Sequence, residues 1–214
     1  MSSPSVSALP WYRTLTPNHW FVFTVASLAW MFDCLDQQLF ILARDNAIKA
    51  LSAAGTSGPE LKSLSGWAQS IFVAGWALGG LIFGSVGDRI GRAKTLSITV
   101  LIYSLCTGLS AFSRDVTEFM IYRALTGLGV GGVFGLAVAL VADSLPELAR
   151  PKALGLLQAL SAVGNVTAGL IAMSLAEMDP MNSWKYLFWI GAAPAFLCIF
   201  IMFRLKEPVK WVAA

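Results

Sequence analysis

Two carboxylates, Asp33 and Asp36, interrupt a long apolar run at Phe32-Asp33-Cys34-Leu35-Asp36-Gln37-Gln38. Spaced i and i+3, they share one face if the run is helical. Ionising both in a low dielectric is costly, so such a pair is a candidate proton carrier. A third charge, Arg123, stands inside another apolar run. Ionisable groups within membrane spans are rare, costly and normally paired, and Arg123 is the expected partner of the acidic pair. Two readings are open: a static ion pair that fixes helix packing, or a pair broken and remade as a proton or an anionic substrate arrives. The uncharged polar groups Gln37, Gln38 and Asn165 are expected to face a cavity, where they could hydrogen-bond a hydroxylated or carboxylated substrate. Alternatively they satisfy one another between helices.

These groups need apolar elements to carry them, and the composition supplies little else. The chain has 214 residues, 57% hydrophobic and 13% charged, with mean hydropathy +0.69. Soluble domains carry about a quarter charged residues, so the expectation is an all-α membrane protein. Six runs approach the roughly 20 apolar residues needed to cross the hydrocarbon: 20–43, 67–87, 95–112, 119–142, 153–176 and 184–203. They divide the chain into a cytoplasmic segment 1–18, a six-helix bundle 19–205 and the start of a cytoplasmic loop at 206–214. Thr16-Pro17 provides a capping hydroxyl and a first-turn proline for helix 1. The linker Arg44–Gly66 is the long one, and its Gly55, Gly58 and Pro59 read as loop.

Orientation follows from the cations. With the N-terminus inside, Arg13, Arg89, Arg92, Lys94, Arg150, Lys152, Arg204, Lys206 and Lys210 are cytoplasmic. Arg44, Lys49, Lys62, Arg114 and Lys185 are outside. Both termini are therefore expected in the cytoplasm of a multi-pass protein of the cell (inner) membrane. A net charge of +3, dispersed along the chain, does not suggest nucleic acid. Cys34, Cys106 and Cys198 lie singly in apolar runs, which implies packing and neither disulfides nor a metal site. Small residues four apart, Gly75 and Gly79, Gly80 and Gly84, then Gly127, Gly131 and Gly135, predict close helix packing.

The most specific segment is the charged hinge Gly84-Ser85-Val86-Gly87-Asp88-Arg89-Ile90-Gly91-Arg92-Ala93-Lys94. It resembles the loop between helices 2 and 3 of the major facilitator superfamily, Gly-x-Leu-x-Asp-Arg-x-Gly-Arg-Lys/Arg. The resemblance implies a cytoplasmic gate latch made by Gly84, Asp88, Arg89, Gly91 and Arg92. Arg123 heads Arg-x-x-x-Gly-x-Gly, as in proton-coupled sugar porters, where it is coupled to an acidic residue of helix 1, here Asp36. Asp33-x-x-Asp36 also resembles the Asp-Gly-x-Asp of aromatic acid:proton symporters, with Cys34 in the glycine's place. Pro146-Glu147-Leu148-Ala149-Arg150 resembles a further sugar-porter loop, with Pro151 in place of the usual glycine. The Gly-Pro pair of antiporter helix 5 is missing, a vote for symport or facilitated transport.

Other motifs carry less. Gly127-Leu128-Gly129-Val130-Gly131-Gly132 satisfies G-x-G-x-x-G but follows no strand, and no Walker loop occurs. His19 reads as an interfacial cap. Neither an enzyme nor a cofactor is expected. The family fold has two six-helix halves related as parallel repeats, and the chain resembles the first half throughout. The resemblance therefore implies a second half as partner, whether a continuing chain, a split gene product or a second copy. The expected function is proton-coupled movement of a small organic acid or sugar across the bilayer by alternating access. The rival is a non-transporting membrane module that binds or regulates another protein.

Overall fold

The computed structural model describes residues 10–178 and 182–193, and these are helical apart from short connections. A 3-10 turn, Trp11–Thr14, precedes α1 (Pro17–Leu51), α2 (Gly58–Ile90), α3 (Arg92–Ser110), α4 (Val116–Ser144), α5 (Arg150–Met178) and α6 (Ser183–Gly191). Among the described residues, α1 to α5 are long and apolar enough to cross a membrane. The rest of the sixth expected span, Cys198, and the 206–214 segment with its cations lie outside the described residues.

Local signals set the helix ends. The Thr16 hydroxyl accepts from the His19 N–H, and His19 Nδ1 accepts from the Thr16 N–H at 3.2 Å. This reciprocal box, with Pro17 in the first turn, satisfies donors that a helix start otherwise leaves orphaned. His19 is thus a cap, as its position suggests. Ser57 caps α2 through the Glu60 N–H, and Asp115 caps α4 through the Glu118 N–H at 2.8 Å.

The helices outrun the apolar spans. Most of the linker Arg44–Gly66 is helical: α1 continues to Leu51 and α2 begins at Gly58. Only the Ser52–Ser57 stretch between them is non-helical. Ala47 and Ile48, beyond the expected end of helix 1, are fully buried. Burial against neighbouring helices extends the helix past the point where its composition stops looking like a span.

Helix α4 forms the centre, packed against α2, α3, α1 and α5, while α1 packs mainly on α5, α4 and α6. The α2–α4 seam is backbone against backbone. A β-carbon at Gly75 would meet the Ala124 carbonyl, one at Gly79 the Leu128 carbonyl, one at Gly127 the Phe72 carbonyl and one at Gly131 the Trp76 carbonyl. With no hydrophobic drive between helices in lipid, such close approach is a main source of association. Gly135 and Gly84 are different. A β-carbon at either meets nothing within 4 Å among the described residues, so the packing expected of Gly135 is not made by them. Residues four apart advance about 40° around a helix of 3.6 residues per turn, and by Gly135 the ladder has rotated off the seam. Gly129 and Gly132 instead meet α3 at Thr99 and Tyr103, and Gly132 also meets Phe83.

Candidate functional site

Asp33, Asp36 and Arg123 are all fully buried. The carboxylates do not share one environment. Asp33 Oδ2 accepts from Gln37 Nε2 at 3.0 Å. Asp36 is turned towards α3 and α6, beside Thr107 and Gly191. A β-carbon on Gly191 would lie 2.5 Å from Asp36 Oδ1 and 2.8 Å from Thr107 Cγ2. The i, i+3 spacing leaves about 60° between the two side chains, enough for one to look to each side of α1.

Arg123 is held by four helices. Its Nε and Nη2 donate to Ser110 Oγ at 3.1 and 2.8 Å. Its guanidinium carbon lies 5.1 Å from the ring centre of Phe40, 5.9 Å from Phe119 and 4.8 Å from Phe188. Cations over aromatic faces gain about 0.5 to 2 kcal/mol per contact. Among the described residues, neither Asp36 oxygen nor Arg123 Nη1 has a hydrogen-bond partner. The two charges are close enough to feel one another, but they do not form the direct pair expected of them.

Gln37, Gln38 and Asn165 come together. They line a cavity of about 310 Å³ between α1 and α5 with Trp30, Cys34, Ile41, Gln158 and Ser161. Gly164 lets α5 approach α1 closely: a β-carbon there would overlap the Met31 carbonyl. Trp30 is braced by Phe134 of α4 at 4.5 Å between ring centres. Gln37 belongs to both places, because it lines the cavity and donates to Asp33. Gln158 and Ser161 escaped the sequence reading, although their spacing with Asn165, i, i+3 and i+7, marks one helix face.

At the charged hinge a single residue, Gly91, joins α2 to α3. Its φ of +112° is a conformation L side chains rarely adopt, so glycine is required there. The turn aims Arg92 at the end of α4, where Nη1 pairs with Asp143 and donates to the Ala139 carbonyl at 3.1 Å. Arg92 Nη2 lies 3.6 Å from Asp88 Oδ1. Arg89 is exposed and makes no ion pair among the described residues. Asp143 was not singled out from sequence, because an acidic residue at a helix end has an ordinary place in water. Arg150, after α4, donates through Nε to the Leu145 carbonyl at 3.0 Å.

Comparison with known proteins adds a family. A family model described as Major Facilitator Superfamily matches residues 18–214. The niacin transporter NiaP of Acinetobacter baylyi is 32% identical over 196 residues, 91% of this chain and 42% of its own length. The benzoate transport protein of the same organism is 30% identical over 208 residues, 92% of this chain and 41% of that protein. Among solved structures, the Escherichia coli xylose transporter XylE in a partially occluded inward open conformation superposes with a TM-score of 0.83. It is 22% identical, over 92% of this chain and 51% of that one. The chain spans less than half the length of the two relatives.

Proposed function

The chain belongs to the Major Facilitator Superfamily, an integral multi-pass membrane protein, and on that premise we propose that it forms the amino-terminal half of a proton-coupled transporter of a small organic acid. The carrying observation is the linkage of a buried carboxylate to a polar cavity, Asp33 to Gln37, beside a second buried carboxylate and a buried guanidinium. Niacin and benzoate, named for two relatives, each unite a flat ring with one carboxylate. A cavity lined by the Trp30 ring together with amide and hydroxyl donors suits that chemistry. Sugars are the second substrate class, supported by the hydroxyl-binding capacity of the same amides and by likeness in fold.

The mechanism is alternating access between this half and a second six-helix half that closes the cavity. Asp36 or Asp33 takes a proton from the outer side and gives it up on the inner side, with Arg123 as the charge whose pairing changes between the two. Asp88, Arg92 and Asp143 hold the cytoplasmic ends of α2, α3 and α4 together in one of the two states, with Arg89 and Gly91 in the same loop. No cofactor takes part; the proton gradient drives the cycle.

The test is Asp36→Asn in the transporter assembled with its second half. Uphill, proton-driven uptake of a benzoate-like acid is expected to vanish, while exchange of labelled for unlabelled substrate persists. Accumulation against a gradient at the wild-type rate would overturn the assignment.

A further inference from the structure

We infer that Ser110, with the rings of Phe40, Phe119 and Phe188, forms a parking site for the Arg123 guanidinium, which lets the charge separate from Asp36 during the transport cycle. This rests on the functional reading above and adds positioning residues to it. A buried ion pair that must open faces a specific obstacle. Removing one partner leaves the other charge unpaired in a low dielectric, which is strongly unfavourable. A reversible switch therefore needs a second place for the cation that is nearly as good as the carboxylate. The structure contains such a place, and the cation is in it.

Four observations converge. Ser110 Oγ accepts two donors of Arg123, Nε and Nη2, and hydrogen bonds to a charged donor are about twice as strong as neutral ones. Ser110 donates in turn to the Cys106 carbonyl at 2.8 Å, which fixes the hydroxyl with its lone pairs towards the guanidinium. Three rings from α1, α4 and α6 surround the cation, and all three are fully buried. Finally, Arg123 Nη1 and both Asp36 oxygens have no partner among the described residues. The interaction left unmade is thus the one that would form when Arg123 leaves its cage. Thr107, one turn before Ser110, has a fully buried hydroxyl without a hydrogen-bond partner among the described residues and lies near Asp36 beside Gly191. Its hydroxyl is the neutral group beside the carboxyl while the cation is parked. The charged and titratable groups facing this region are Asp33 and Asp36 of α1, Cys106 of α3 and Arg123 of α4.

The site predicts a division of labour. Ser110→Ala leaves the rings and removes the acceptor, so Arg123 rests on Asp36 for more of the cycle. Steps that need the pair to open are then slowed, whereas substrate exchange without net proton movement is not. The experiment compares wild type, Ser110→Ala and Ser110→Thr in proteoliposomes of the transporter assembled with its second half. It records substrate-driven proton influx and benzoate exchange, normalised to protein inserted. The expected result is a drop of tenfold or more in proton influx for Ser110→Ala, exchange within twofold of wild type, and recovery in Ser110→Thr, which restores the hydroxyl. Equal losses of influx and exchange in Ser110→Ala would reduce Ser110 to packing and overturn the inference, as would an unchanged proton influx. Should Ser110→Thr fold poorly, Phe188→Leu replaces it. Loss of the ring face should lower proton influx selectively, and proportional loss of exchange would again overturn the inference. Wild-type protein that exchanges substrate without moving protons would overturn the proton-coupled reading and this one with it.

Discussion

Arg92, the first residue of α3, and Asp143, near the end of α4, form an ion pair across 51 residues of sequence. Both side chains are about three-quarters shielded, 23% and 26% exposed. That places the pair between the surface case, worth 0 to about 1 kcal/mol, and the buried one, whose breakage costs about 3 to 5 kcal/mol. It ties the inner end of α3, just after the Gly91 turn, to the inner end of α4. Asp143→Asn is expected to loosen that end by on the order of 1 kcal/mol, a several-fold change in the balance of states. Alkylation of Cys34, which lines the cavity, by a maleimide offered from the cytoplasmic side reads it out in a background lacking the other two cysteines. Faster labelling is expected, and an unchanged rate would show that the pair takes no part in gating.

Gly79 should tolerate nothing larger. A β-carbon there overlaps the Leu128 carbonyl of α4, and neither backbone can give without opening the seam. Overpacking of this kind costs about 1 to 3 kcal/mol or more. Gly79→Ala is therefore expected to lower the melting temperature of the detergent-solubilised protein by several degrees. Gly135→Ala, placed in open space, serves as the control and should be neutral or slightly stabilising through helix propensity. Equal effects at the two positions would contradict the seam described here.

Gly191 tests the surroundings of Asp36 without touching a charge. A β-carbon there would lie 2.5 Å from Asp36 Oδ1, so Gly191→Ala pushes the carboxyl group aside by its added methyl. Proton-driven uptake is expected to fall about tenfold, the effect of misplacing a reacting group by a fraction of an ångström to an ångström. Exchange and membrane abundance should fall much less. Parallel loss of all three would mean that Gly191 serves packing alone.

Gln158 and Ser161 address the cavity. Gln158→Ala removes a donor and an acceptor from its lining. A lost hydrogen bond to a charged ligand is worth about 1.5 to 3 kcal/mol, so the KM for a benzoate-like acid should rise more than tenfold. The maximal rate should change little. A KM equal to wild type would remove Gln158 from the substrate site.

Much of this molecule was legible in its residues. Long apolar runs and scarce charge already demanded membrane helices, because both are properties of composition over about 20 residues. The Gly91 turn and the Thr16-Pro17 start could be read locally, since each depends on the backbone preferences of one or two residues. Asp33, Asp36 and Arg123 stood out because charge in an apolar run is conspicuous before any folding is considered. Even the helix 4 glycines pointed to a seam, though not to where it ends.

Tertiary structure decided the rest, and for one physical reason: a partner's identity depends on helix rotation and adjacency, which no local pattern encodes. The need to pair a charge inside a span, and the sugar-porter resemblance, suggested Asp36 for Arg123. The fold instead offers Ser110 and three phenylalanines, each an ordinary core residue by type. It also turned Asp33 to Gln37 and Asp36 to Thr107, brought Asp143 to Arg92, and joined Gln158 and Ser161 to the amides of α1. The extension of α1 to Leu51 is of the same kind. Composition marks where hydrocarbon would end, but packing marks where a helix can.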